Sequence, residues 1–304
     1  MLGLLTITGF LGVNTVLCSV DNKQVHATPP QAPFVVSETS SAWTPAAKSS
    51  AQPYMPPDPS EPPGRQTAIA LGLPYVLSER TTNYFHASPT QAKNIELVAR
   101  RLNGTVVAPG ETFSYNKHLG PYTAANGYGW GRAFLEDRIV PSMGGGVCQG
   151  ASTLYSALLR TDLPIVERHQ HGLTVPYLPP GEDATVSEPT LDFQFRNDTA
   201  RPIVIGAATD QEERFFTVAL WGAAPGKPRM VHHKVLRTTN FPTIHKPSDK
   251  LPVGQQRIVF PGQPGVEVET WVDNPNEGGH VERRCGVDHY SASPRVIEDG
   301  NASR

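Results

Sequence analysis

The sequence predicts an α+β domain in which a cysteine-bearing helix packs on an antiparallel sheet, followed by a small C-terminal β appendage. Three observations lead there. Helical periodicity occurs in only two stretches, residues 88–102 and 148–160. From residue 165 onward apolar and polar residues alternate in short runs, separated by turn pairs such as Asn197-Asp198 and Asp210-Gln211. Helices that come first and strands that come later segregate as α+β rather than interleaving around a parallel sheet.

Residues 1–20 are apolar almost throughout from Leu2 to Val20 and read as an export signal or a single membrane anchor, with a buried N-terminal element as the structural alternative. Residues 21–66 are rich in Pro, Ser, Ala and Thr, as in Met55-Pro56-Pro57 and Glu61-Pro62-Pro63. Such a stretch has too little apolar surface to offset its ordering entropy, so it reads as a disordered linker. The remainder divides into a domain over residues 67–222 and a connector with a small β-rich region over 223–304. A net charge of -2 and the lack of any Lys/Arg block exclude the nucleic-acid-binding class.

The elements follow in order. Ser88-Pro89-Thr90-Gln91 opens a helix with an N-cap serine, a proline in first position and a capping-box glutamine; Ile95, Val98, Ala99 and Leu102 share one face, and Gly104 stops it. It reads as a packing helix without chemistry. Residues 105–108 form a short strand and Pro109-Gly110 a turn, and residues 117–131 form a loop rich in glycine and aromatics. The cysteine helix covers about 148–160. Strands are expected at 165–175, 184–187, 191–196, 202–207 and 215–221. Residues 223–250 are polar and contain proline, so they read as a connector; short strands follow at 256–260, 265–272 and 280–288.

The chemistry centres on Gly144-Gly145-Gly146-Val147-Cys148-Gln149. The glycines deliver a lone cysteine to the first turn of a buried helix, whose free N–H groups and partial positive charge lower a thiol pKa and supply donors for an oxyanion. The bland alternative makes Cys148 a small core hydrophobe and the glycines a turn. The cysteines stand at 18, 148 and 285, so one Cys148–Cys285 disulfide is also open to an exported protein. A working thiol needs a base and something to orient it. Glu167-Arg168-His169-Gln170-His171 supplies two histidines on what reads as a strand; His171 is the chosen base and His169 its neighbour, against the alternative of an exposed strand-edge pair. Asp183, at the start of the next strand, is the orienting carboxylate, or else a turn aspartate. Arg168 offers a carboxylate clamp, and Gly146, Gln149 and Tyr177 join Arg168 and His169 as substrate contacts. His169 and His171 with Cys148 lack any C-x-x-C or H-E-x-x-H spacing, so no metal is expected, and no loop suits a nucleotide cofactor.

Pro109-Gly110-Glu111-Thr112-Phe113-Ser114-Tyr115-Asn116, Gly120-Pro121, Gly127-Tyr128, the Gly144–Gln149 block, Ser152-Thr153-Leu154-Tyr155, Glu167-Arg168-His169-Gln170-His171 and Gly181-Glu182-Asp183-Ala184-Thr185-Val186 resemble, in order, the signature blocks of the VanW family. The likeness covers residues 70–210, and residues 261–297 resemble a β extension that follows such domains. Gly150 and Gly172 depart from the common pattern. The resemblance implies an exported or membrane-anchored bacterial envelope protein, here expected as a monomer tied to the membrane through its N-terminal segment. It implies action on peptidoglycan stem peptides by cysteine-dependent acyl transfer of the L,D-transpeptidase kind, with Cys148, His171 and Asp183 carried over by position. The alternative it leaves open is a non-catalytic wall-binding or scaffolding module associated with glycopeptide resistance. A weaker likeness, to papain- and transglutaminase-type cores, rests on a helix-start cysteine preceding His and then Asp.

Overall fold

A computed structural model describes residues 61–302 except 136, 137, 228, 277 and 278; all lie in one unit, Tyr54–Arg304. The expected segment 1–20, and 21–60 of the expected linker, lie outside the described residues. In chain order the elements are α1 (Arg65–Ala70), β1 (Tyr75–Asn83), α2 (Pro89–Leu102), β2 (Thr105–Val107), β3 (Thr112–Ser114), α3 (Tyr115–Leu119), β4 (Trp130–Leu135), β5 (Arg138–Met143), α4 (Val147–Leu159), β6 (Ile165–Glu167) and β7 (Gln194–Arg196). They continue with β8 (Ile203–Asp210), β9 (Phe215–Gly222), β10 (Val231–Thr239), β11 (Thr243–Pro252), β12 (Gln256–Gln263), β13 (Gly265–Asn276), β14 (Gly279–Tyr290) and β15 (Ser293–Ala302). No helix among the described residues is long and apolar enough to cross a membrane.

The core forms around β8 and β9. Ile203 and Ile205 face one side with Val218 and Leu220, against Ile95, Val98 and Leu102 of α2 and Leu154 and Leu158 of α4. Val204, Ala219 and Trp221 face the other side, covered by Ala68 and Leu73. These strands are buried on both faces because helices close both sides of the sheet β1-β9-β8-β2. Each large side chain sealed this way contributes about 1.5–3 kcal/mol. Polar links fix α4 on β1: the Ser78 hydroxyl donates to Ala157 O at 2.8 Å, and Thr82 and Thr153 exchange a hydrogen bond at 2.9 Å.

The α+β expectation is overturned. The molecule is mostly antiparallel β, in five sheets among the described residues, and has no papain- or transglutaminase-like core of a helix on one sheet. Nor is the C-terminal region a small appendage. It holds two three-stranded sheets, β10-β13-β14 and β11-β15-β12, in which only β11 and β15 run parallel. The stretch 223–250, expected as a connector, contains β10 and β11. These strands are exposed on both faces along most of their length, so they lack the apolar alternation that betrays a half-buried strand; backbone pairing holds them instead.

A second correction concerns the expected strand at 165–175. Only β6 is strand, and residues 168–172 leave it as a chain held by side-chain bonds. The two histidines therefore do not share a strand face. The expected strand at 184–187 reduces to a single bridge between Ser187 and Leu191, although Thr185 N–H donates to His169 O at 2.8 Å and keeps the two segments side by side.

Candidate functional site

The hairpin β4–β5 leads into the glycine run and sets where α4 begins. Gly145 lies against Gly131 so closely that a Cβ on it would sit 2.4 Å from the Gly131 carbonyl carbon, which no rearrangement of side chains relieves. Gly146, the N-cap of α4, has φ 108°, a left-handed conformation that favours glycine. Asn94, buried on α2, grips the run by donating to Gly129 O and Gly145 O, each at 2.9 Å. Tyr115 anchors the first turn through its hydroxyl on Val147 O at 2.8 Å. In that turn the Val147 and Gln149 amides bond the Gly144 and Gly146 carbonyls, whereas the Cys148 amide has no acceptor among the described residues. It is available to an oxyanion.

Cys148 is a free, partly buried thiol, as is Cys285, so the optional disulfide is absent. Its sulfur lies 3.6 Å from Thr185 Oγ1 and 3.5 Å from Val186 O, and the His171 imidazole lines the same cavity and acts on it electrostatically. His171 Nδ1 lies 2.6 Å from Asp183 Oδ2, and the His171 amide donates to the same oxygen at 2.8 Å. A buried carboxylate accepts, so Nδ1 carries the proton and Nε2 is left for the sulfur. Burial alone favours the neutral thiol, but His171 outweighs it and holds the Cys148 pKa below its ordinary value. Burial likewise opposes the imidazolium, yet Asp183 and the thiolate raise His171 to about 9. Burial works against the Asp183 carboxylate too, and His171 and Arg168 keep its pKa low. Both shifts run toward a thiolate–imidazolium pair backed by a carboxylate, while the Val186 carbonyl suits the neutral S–H.

Cys148, His171 and Gly144–Gly146 line a cavity of about 720 Å³, together with Tyr122, Gln170, Tyr177 and Glu188. Gln149 also reaches it, but its side-chain amide donates to Thr82 Oγ1 at 3.0 Å and to Asn83 O at 2.8 Å. Arg168 points away from the cavity: its guanidinium donates to Asp183 O at 2.7 Å, to Asp183 Oδ1 at 3.2 Å and to Asp288 Oδ1 at 2.5 Å, and lies over the Tyr155 ring. His169 pairs with Glu167 at 2.9 Å. Of the predicted residues, His171 and Asp183 are hydrogen-bonded, Cys148 shares the cavity wall with His171, Gly146 and Tyr177 line the space before them, and Arg168 and His169 are engaged elsewhere. Of the histidines outside this site, His118 bonds Thr105 and the Arg101 carbonyl, His232 bonds Asp273, and His233 lies beside the buried Glu182. Among the described residues no group of three or more His, Cys, Asp or Glu could hold a metal ion.

Residues that sequence reasoning passed over also shape the site. Asn94 sits beside the apolar face of a helix read as packing alone, and a buried amide there was its only signal. Tyr290 and Asp288, which touch Asp183 and Arg168, lie more than 100 positions downstream and carry no local signal.

The family described as VanW like protein matches residues 90–221. The uncharacterized protein YoaR of Bacillus subtilis (strain 168) is 40% identical over 131 residues, covering 43% of this chain and 43% of its own. The vancomycin B-type resistance protein VanW of Enterococcus faecalis (strain ATCC 700802 / V583) is 30% identical over 163 residues, 49% of this chain and 58% of its own. The chain therefore spans about half the length of these relatives. Among solved structures, an IgA1 protease G5 domain aligns over 92% of its length with 25% of this chain, at 18% identity and a TM-score of 0.18. HP0197-G5 aligns over its full length with 24%, at 13% identity and a TM-score of 0.15. Over residues 90–221, then, the chain is similar to the VanW family.

Proposed function

We propose that this VanW-type module works in the bacterial cell envelope on peptidoglycan stem peptides, and that Cys148 carries out acyl transfer there. The observation that carries the reading is the placing of Cys148 and the Asp183-bonded His171 on the wall of a cavity of about 720 Å³. The thiolate attacks the carbonyl of the third, diaminopimelate-type residue, and the Cys148 amide stabilises the oxyanion. His171 gives its Nε2 proton to the departing nitrogen of the terminal D-alanine, leaving a thioester. An incoming amine then loses a proton to His171, attacks the thioester and releases the thiol, which makes a new amide bond. Water in place of the amine gives a carboxylic acid and a peptidase. Asp183 stays ionised and keeps Nδ1 protonated.

A second reading keeps the pocket and drops the turnover: a wall-binding or scaffolding module. It is favoured by the contacts of the sulfur with the Val186 carbonyl and the Thr185 hydroxyl, which suit a neutral S–H donor. Intact-mass spectrometry separates the two. The full chain incubated with a tetrapeptide stem ending in D-alanine should gain the mass of the acyl group, lose it to hydroxylamine, and show no gain as Cys148→Ala. Saturable binding of that peptide by both proteins with no adduct on either would overturn the acyl-transfer reading in favour of the binding module.

A further inference from the structure

The VanW domain does not close its own site. Four consecutive residues, the last three of β14 and Ser291 just after it, lie outside the family-matched stretch and hold the segment that carries His171. Asp288 takes Arg168 Nη1 at 2.5 Å, and the His289 carbonyl takes Gln170 Nε2 at 2.5 Å. The Tyr290 hydroxyl donates to Asp183 Oδ1 while accepting from the Gly181 amide at 2.7 Å, and Ser291 N–H donates to Gly172 O at 2.7 Å. Every second residue from 168 to 172 is therefore tied to this strand end, and so is the carboxylate between them.

The division of oxygens on Asp183 is what matters. Oδ1 is occupied by Tyr290 and Arg168, so Oδ2 is left to the amide and Nδ1 of His171. A carboxylate fixed at both oxygens cannot rotate, and an imidazole bonded to it keeps one tautomer and one direction. From this juxtaposition we infer that Tyr290 is a positioning residue for the His171–Asp183 pair, with Arg168 and Asp288 as its support, and that the C-terminal sheet β10-β13-β14 is a working part of the VanW site. The inference rests on the reading of Cys148 as a nucleophile paired with His171.

Groups facing the triad from each packed element are Arg168, Asp288 and Tyr290 around Asp183, and Tyr115, Tyr122 and Tyr177 around the thiol. Burial, the largest cause in each case, raises all four tyrosines, so they stay neutral where the thiol and imidazole titrate.

The test is the pH profile of Cys148 alkylation by iodoacetamide in the full chain, with the deshielded Nδ1 proton of His171 followed by NMR. Tyr290→Phe should move the acid limb upward by about one unit, which slows alkylation below it about tenfold, and should shift the Nδ1 resonance. Arg284→Ala, on the same strand as Tyr290, removes a surface pair with Glu269 of β13 and should match wild type. A Tyr290→Phe profile and Nδ1 resonance identical to wild type overturn the inference, and so does an equal shift in Arg284→Ala. The nucleophile reading fails separately, when His171→Ala leaves the wild-type profile unchanged; the Nδ1 resonance of Tyr290→Phe then still decides the positioning role. Thermal melts of each variant keep unfolding apart from repositioning.

Discussion

Glu182 and Asp183 are consecutive, buried and anionic, yet they serve opposite purposes. Glu182 meets groups that hold their charge at every accessible pH: Arg160 at 2.8 and 3.2 Å and Arg80 at 3.8 Å, with the Ser156 hydroxyl at 2.5 Å. His233 approaches it at 3.4 Å, and burial first of all holds that imidazole below its ordinary pKa. Asp183 also meets a guanidinium, Arg168 at 3.2 Å on Oδ1, but its Oδ2 faces His171 Nδ1 at 2.6 Å, an imidazole whose proton can be moved. The same functional group makes a fixed clamp on one side of a peptide bond and half of a proton-handling device on the other. The identity of the partner decides which, because a guanidinium does not deprotonate in proteins and an imidazole does.

Three experiments break or sharpen this contrast. The largest expected effect is on the clamp: Glu182→Ala leaves Arg160 and Arg80 without their carboxylate and should cost about 3–5 kcal/mol in a urea titration, with the alkylation profile of Cys148 unchanged. If that variant slows alkylation as much as His171→Ala does, the two carboxylates are not separate. Next is the device itself. Without the imidazole the thiol returns to an ordinary pKa of about 8.5 or above, so His171→Ala should slow alkylation at pH 6.5 by up to about a hundredfold. In the wild type the paired state spans the window from the lowered Cys148 pKa up to about 9, where His171 loses its proton. The smallest effect is acid destabilisation. Both carboxylates have folded pKa values below their ordinary ones, so the stability they give is full above about pH 4.3 and is lost as pH falls through the depressed values, at up to about 1.4 kcal/mol per pH unit for each group. Urea midpoints between pH 2 and 7 read this, and an equally steep decline in Asp183→Asn would remove Asp183 from the account.

What could be read in the chain was what local chemistry writes there. The start of α2 is spelled by Ser88, whose hydroxyl accepts from the Gln91 amide at 3.2 Å, and by Pro89 in first position. The start of α4 is spelled by its glycines. The proximity of Cys148, His171 and Asp183 is legible because each stands in a short motif with an obvious chemical use. The overall class was not accessible, because β10 and β11 bury little on either face and leave no periodic trace. Arg168 has the sequence signature of a clamp for a ligand carboxylate; the carboxylates it binds are the protein's own, and one comes from β14. Nothing local to Arg168 distinguishes these uses.

The contact between the Tyr290 hydroxyl and Asp183 spans 107 positions of chain. Closing a loop of that length carries an entropy cost that only the packed C-terminal sheets offset. The order of the imidazole is thus conditional on those sheets: whatever loosens β14 also unfixes the carboxylate behind His171.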